Sequence, residues 1–207
     1  MRILYIDTSS SYLYTAIVED EKVLCEIKEE YGTHLSEMAL PKIAELFEKT
    51  KFDVKDIDKI IVVNGPGSFT GIRIGITIGK VYAWSLNIPI TTITSLEAMA
   101  ISSKEKKAHV PVINARRGYV FTAIYDENDQ EVLKPQHIKI TDLEKELEKI
   151  EDYEIITNDE FEEWENTIFY EPDFEKIIKK YQEKEPINPH AINPEYLKLT
   201  EAEENRL

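Results

Sequence analysis

The hydrophobic pattern of the first ninety residues switches between the period of a strand and that of a helix. Ile3–Ile6, Tyr12–Glu19 and Lys22–Glu29 are rich in β-branched and aromatic residues and predict three strands, with Glu19-Asp20-Glu21 as a hairpin turn. From Leu35 to Lys49 the period lengthens, and Leu35, Ala39, Ile43, Leu46 and Phe47 fall on one stripe of a helix. Pro41 lies inside that pattern and predicts a kink or a restart at a first-turn position. Ile57–Val63 reads as a buried strand, Thr70–Leu86 as a second helix and Pro89–Ile93 as a short strand.

An antiparallel β-β-β meander followed by α-β-α-β is the order of a ribonuclease-H-like or actin-like lobe, so the predicted class is α/β. A second unit starts near Ser95, which divides the chain into residues 1–102 and 103–207. Thr94-Ser-Leu-Glu97 has the spacing of a capping box for a short helix. Val110–Ala115 and Tyr119–Tyr125 predict a hairpin around Arg116-Arg117-Gly118. Acidic amphipathic helices are expected around 142–150 and 173–184, their charge runs lying on solvated faces. Three prolines in the stretch from Glu185 to Leu199 predict an extended arm. No internal sequence repeat is visible.

Charge narrows the function classes. The formal net charge is −15, split as −4 over residues 1–103 and −11 over residues 104–207. So acidic a chain repels phosphate backbones, and a role with nucleic acid requires a partner carrying the basic surface. No apolar run reaches the roughly 18 residues of a membrane span, and the N-terminus, Met1-Arg-Ile-Leu-Tyr-Ile-Asp7, does not read as a signal peptide. A single cysteine, Cys25, allows no internal disulfide and reads as a small buried hydrophobe in a reducing cytosol.

Five of the seven glycines fall between Gly65 and Gly79, in Asn64-GPGSFTGIRIGITIG. Gly65 and Gly67 bracket Pro66 and let the backbone turn tightly. No spacing here supplies the Walker phosphate loop, and Thr70 stands where a dinucleotide fingerprint wants its third glycine. Two readings stay open: a structural tight turn, and an anion or nucleotide loop made of Asp7, Thr8, Gly65, Gly67, Ser68 and Thr70. Gly71, Gly75 and Gly79, extended by Ala83, form a flat stripe on the helix, while Ile74, Ile78 and Val81 lie on another side. Each interior glycine costs about 1 kcal/mol relative to alanine, so close backbone contact is expected, with an internal element or with another chain.

Asp7 ends the first strand, where it either caps the Thr8-Ser9-Ser10 turn or holds magnesium and phosphate as in actin-like kinases. His34 and Met38 stand one turn apart, a pairing that does not make a clamp for a hard or borderline cation. The other histidines show no ligand spacing, no glycine-flanked nucleophilic serine is present, and neither a metal site nor a catalytic residue is expected.

Several segments taken together resemble one family. Ile6-Asp7-Thr8-Ser9, His34-Leu-Ser-Glu37 with Leu40-Pro41, Gly65-Pro-Gly-Ser-Phe-Thr-Gly71 with Ile72-Arg73, Ser95-Leu96-Glu97 and Pro194-Glu-Tyr196-Leu197 look like the bacterial TsaB (YeaZ) proteins. The resemblance covers residues 1–125 well and the acidic second half loosely. It implies a two-lobed actin-like (ASKHA, ribonuclease-H-like) fold with a degenerate second lobe. It also implies a cytoplasmic, non-catalytic role in making threonylcarbamoyladenosine next to the tRNA anticodon, at position 37. In that family the transferase is the paralogue TsaD, joined by TsaE, a small ATPase, and pairing runs through the first two helices of the N-terminal lobe. Partner-facing residues are accordingly expected among Leu35, Met38, Ala39, Ile43, Gly71, Gly75, Gly79 and Ala83. Without TsaD the same surface is expected to pair with itself as a homodimer, because an exposed apolar helical face rarely stays bare; tRNA contact is expected only through the complex, and no cofactor on the isolated chain, with ATP or ADP in the assembly. The rival class is an actin-like ATPase or small-molecule kinase using Asp7 and the glycine loop. Asn114 stands where the family has aspartate, and Lys198 where it has arginine.

Overall fold

The computed structural model describes residues 1–198, and its strands form two five-stranded sheets. The first holds β1 (Arg2–Asp7), β2 (Tyr12–Glu19), β3 (Lys22–Glu30), β4 (Lys59–Val63) and β5 (Ile90–Ile93), in the order β3-β2-β1-β4-β5. β1 to β3 are antiparallel, and β4 and β5 add parallel to β1. Parallel neighbours need a crossover, supplied by α1 (Leu35–Thr50) before β4 and α2 (Phe69–Leu86) before β5. The second sheet holds β6 (Ala108–Asn114), β7 (Tyr119–Tyr125), β8 (Glu131–Lys139), β9 (Tyr153–Thr157) and β10 (Thr167–Phe169), in the order β10-β9-β6-β7-β8. It too is an antiparallel meander with two parallel strands added.

The second lobe therefore repeats the topology of the first without repeating its sequence. α4 (Ile140–Leu147) makes the crossover to β9, but residues 158–166 contain no helix to match α2. This is a two-lobed actin-like fold with one lobe reduced. Between the sheets in sequence lies α3 (Ser95–Ile101), and after β10 comes α5 (Phe174–Tyr181).

Period-2 alternation sends each strand of the first sheet into two cores. Leu4, Ile6, Ile60 and Val62 meet the apolar stripes of α1 and α2. Ile3, Tyr5, Ile61 and Val63 face the other way, against Met99 of α3 and Phe174, Ile177 and Ile178 of α5. α5 is further fixed by the buried Lys59 of β4, whose Nζ donates to the carbonyls of Tyr181 (3.2 Å), Gln182 (2.8 Å) and Lys184 (2.5 Å) at the helix C-terminus.

Several expectations change. α1 runs unbroken through Pro41, whose ring is exposed, so the proline marks no restart. β8, β9 and β10 lie in stretches that the periodicity left unassigned. Cys25 is half-buried on β3. The two sheets are separated in sequence between Ile93 and Ala108, and α5 and the tail pack back on the first of them. The tail is largely extended with one short 3₁₀ turn, Pro189–Ala191. Ile187 N–H donates to Ile90 O (2.7 Å) at the sheet edge, Ile192 is buried in the first core, and Glu195 N–H donates to Asn64 O (2.7 Å).

Candidate functional site

The glycine loop follows β4 and packs against the end of β1. Asp7 is 2% exposed, and its Oδ1 accepts from Ser9 N–H (2.8 Å), closing a turn. Burial pushes its carboxyl up to about 6, with the Ser9 hydrogen bond acting in the opposite sense. Thr8 Oγ1 donates to Gly71 O (2.7 Å) and accepts from Gly75 N–H (3.0 Å). Ser68 N–H donates to Ser9 O (2.7 Å), Ser68 Oγ accepts from Gly71 N–H (3.2 Å), and Ser95 N–H donates to Gly65 O (2.9 Å).

The amides of Ser68 and Gly71 are bonded within the chain, and Gly75 N–H, one turn into α2, bonds Thr8 Oγ1. A side chain at Gly67, whose φ is +152°, would run into the Ser9 carbonyl. Asp7 closes the turn after β1, and the loop joins β1, α2 and α3 through these bonds.

A cleft of about 590 Å³ lies between the lobes, lined on the first-lobe side by Ser9, Ser68 and Thr70 and on the other by Asn114, Arg116 and Asn158. Gly67 reaches it, but Asp7, Thr8 and Gly65 do not line it. Among the described residues no three His, Cys, Asp or Glu side chains converge as metal ligands.

The glycine stripe is corrected. Gly71, Gly75, Gly79 and Ala83 face the chain's own sheet: a methyl group on Gly71 would fall on the Thr8 carbonyl, one on Gly75 would lie 2.5 Å from Thr8 Oγ1, and one on Gly79 3.2 Å from Ile90 Cδ1. Close approach does offset the low helix propensity, but what approaches is the chain's own first lobe: the Thr8 carbonyl just past β1 at Gly71, and side chains of Thr8 and Ile90 at Gly75 and Gly79. Leu35, Ala39 and Ile43 likewise point into the first core. The apolar stripe of an amphipathic helix goes to the core, so of the eight residues expected to face a partner only Met38 is not fully buried.

The free face of the same two helices is apolar in its own right. Leu40 on α1 is 50% exposed, and Phe69, Val81 and Trp84 on α2 are 55%, 53% and 66% exposed. Between the helices runs a shallow groove of about 500 Å³, walled by Leu40, Phe69, Arg73, Ile74 and Ile78. Ile74, Ile78 and Val81 were placed on this other side from the sequence, while Leu40, Phe69, Arg73 and Trp84 were not. The signal was available: if the glycines approach the sheet, Phe69, Arg73, Val81 and Trp84 on the opposite side must look outward.

Comparison with known proteins agrees with this architecture. The family model for tRNA N6-adenosine threonylcarbamoyltransferase, TsaD, matches residues 25–172. A Bacillus subtilis (strain 168) protein, tRNA threonylcarbamoyladenosine biosynthesis protein TsaB, is 32% identical over 98% of this chain and 96% of its own length. The chain belongs to the TsaB (YeaZ) family. YeaZ from Pseudomonas aeruginosa superposes with a TM-score of 0.75 over 95% of this chain and 99% of that one, at 17% identity. A second Pseudomonas aeruginosa structure, described as similar to peptidase YeaZ, gives 0.77 over the same shares, again at 17% identity. The fold is therefore kept where most of the sequence has diverged. In this TsaB-family chain Ser95 and Glu97, two of the motif residues, are structural: Ser95 Oγ donates to the Pro66 carbonyl, and Tyr181 Oη donates to Glu97 on α3.

Proposed function

We propose that this chain acts in tRNA threonylcarbamoyladenosine biosynthesis as a cytoplasmic, non-catalytic subunit that binds a TsaD-like transferase and holds it in its active arrangement. Membership of the TsaB family supports the pathway. The observation that carries the subunit role is the apolar outer face of α1 and α2, with Leu40, Phe69, Val81 and Trp84 each at least half exposed. An apolar helical surface of that kind marks a protein contact rather than a free surface. Activation needs no reacting group from this chain. A subunit that binds the competent state of its partner more tightly shifts the partner toward that state by the difference in affinity.

The same face accounts for a homodimer of the isolated chain, formed when the transferase is absent. The acidic surface leaves tRNA contact to the partner. A TsaE-like ATPase joins the pair, and any nucleotide belongs to the assembly. No helix among the described residues is long and apolar enough to cross a membrane. The test is reconstitution of tRNA modification from purified subunits, with this chain, without it, and with Trp84→Glu. Modification should collapse without the chain and fall about tenfold with the variant, since an interface aromatic contributes about that much. Full-rate modification without the chain overturns the proposal.

A further inference from the structure

One cation on the docking face is held in an unusual grip. The Arg73 guanidinium lies 3.7 Å over the Phe69 ring, and its Nε donates to Tyr196 Oη at 3.0 Å. Tyr196 belongs to the returning tail and stacks on Phe69, ring centroids 5.7 Å apart and planes 23° apart. The tail is itself anchored on both sides: Glu195 N–H bonds Asn64 O, and Leu197 packs with Leu96, Ala100, Ala123 and Tyr125. Arg73 is therefore fixed on one flank by an aromatic face and on the other by a phenol.

What the grip leaves unused points to its purpose. The two terminal Nη groups of Arg73 have no hydrogen bond, and no carboxylate lies within ion-pair distance of it, among the described residues. This is a chain with 40 acidic side chains. A guanidinium whose Nε and face are engaged presents its remaining fork outward, with the side-chain entropy of ordering it already lost. The fork matches a carboxylate bidentately.

We propose that Arg73, gripped between Phe69 and Tyr196, is a preset receptor for a carboxylate presented by the protein that docks on the α1–α2 face. The inference rests on that docking reading and adds to it a chemical requirement on the partner: an Asp or Glu beside an apolar helical surface. A protein is favoured over RNA because Arg73 opens onto the apolar groove walled by Leu40, Ile74 and Ile78, a surface that pairs with side chains and not with phosphates. The tail becomes part of the interface, since Tyr196 aligns the fork without supplying the contact.

The test uses the full chain with the TsaD-like transferase of the same organism, measuring dissociation constants by titration calorimetry at two salt concentrations. Arg73→Glu should weaken the complex by at least about 100-fold. Arg73→Lys should lose about tenfold, because an ammonium keeps the charge but not the fork. Tyr196→Phe should lose about threefold to tenfold while leaving the thermal midpoint of the free chain unchanged, as an alignment role requires. Ile78→Arg, at the groove centre, is the control for the docking face. If Ile78→Arg abolishes the complex and Arg73→Glu does not, the receptor is overturned and the docking face stands. If neither matters, both fall. Loss of self-association alone would make the occupant a second copy, and loss of tRNA binding by the intact complex would make it a phosphate; either result also overturns the proposal.

Discussion

At the scale of single residues, the glycines of α2 show how a packing distance sets tolerance to substitution. At Gly71 the obstacle is the Thr8 carbonyl, a backbone atom held in the β1 turn. At Gly79 it is the Ile90 Cδ1, the far end of a flexible side chain 3.2 Å away. Gly71→Ala should therefore cost about 3 kcal/mol or more, as overpacking against rigid backbone does. Gly79→Ala should stay within about 1 kcal/mol of the parent, because the gain in helix propensity offsets the small adjustment of Ile90. Urea unfolding of both variants checks the contrast, and equal losses would show that β1 yields as readily as a side chain. Asp7 adds a pH dependence. Its folded-state carboxyl, at about 6, lies above the model-compound value of 3.8, so between those values the native state binds more protons than the unfolded chain. Stability from this group is complete below about pH 4 and is lost as pH rises through about 6, a swing of about 3 kcal/mol at most. Asp7→Asn keeps an oxygen for the Ser9 amide and removes the charge. The variant should gain on the parent as pH rises from about 4 to about 7, and a stability difference flat across that range would mean that Asp7 is better solvated than its burial implies.

At the scale of elements, what was legible in the sequence depended on whether local pattern and tertiary burial agree. The first lobe was readable because β1, β4, α1 and α2 each carry a period that matches their burial, and because the glycine loop marks the strand-to-helix turn. β8 was not, since Glu131–Lys139 has no fully buried residue, shows no alternation of burial over 135–138, and carries Pro135 and Gln136 within it. β10 is three residues long, too short to show any period. The outward face of α1 and α2 was hard to read for a different reason: which of two apolar sides of a helix faces the sheet is decided by contacts distant in sequence. Gly71 meets Thr8, sixty-three residues away. Lys59 is a similar long-range device, a buried ammonium on β4 that satisfies three carbonyls at the end of α5. Lys59→Met keeps the stem and strands those carbonyls. It should cost about 2–4 kcal/mol and raise hydrogen exchange first in α5, which amide exchange by mass spectrometry resolves. Uniform loss of protection along the whole chain would assign Lys59 to global packing instead of to the helix terminus.

For the molecule as a whole, the sequence suggests two halves that the fold does not respect. Residues 1–102 contain the entire first sheet with α1, α2 and α3, and by topology they make a complete lobe. Yet the sheet face bearing Ile3, Tyr5, Tyr14, Val18, Ile61 and Val63 is covered by α5, more than seventy residues beyond that boundary. The Tyr5 ring meets Phe174 edge-on at 5.3 Å, and Tyr14 Oη donates to Tyr170 O at 3.1 Å. The opposite core is closed by Ile192 of the tail. A fragment ending at residue 102 would leave both these surfaces open to water, and two buried tyrosines on one face would lose their apolar cover. It should collapse with its strands formed but without fixed packing, binding a hydrophobic dye and showing poorly dispersed amide resonances. A chain in which residues 103–169 are replaced by a flexible linker, so that Tyr170, α5 and the tail are retained, should recover cooperative unfolding. The second sheet then contributes the interlobe cleft and little of the first lobe's stability. Cooperative unfolding of the 1–102 fragment would reverse that conclusion and make α5 a dispensable cover. Failure of the linked chain to fold would place the second sheet itself among the elements that hold the docking face in shape.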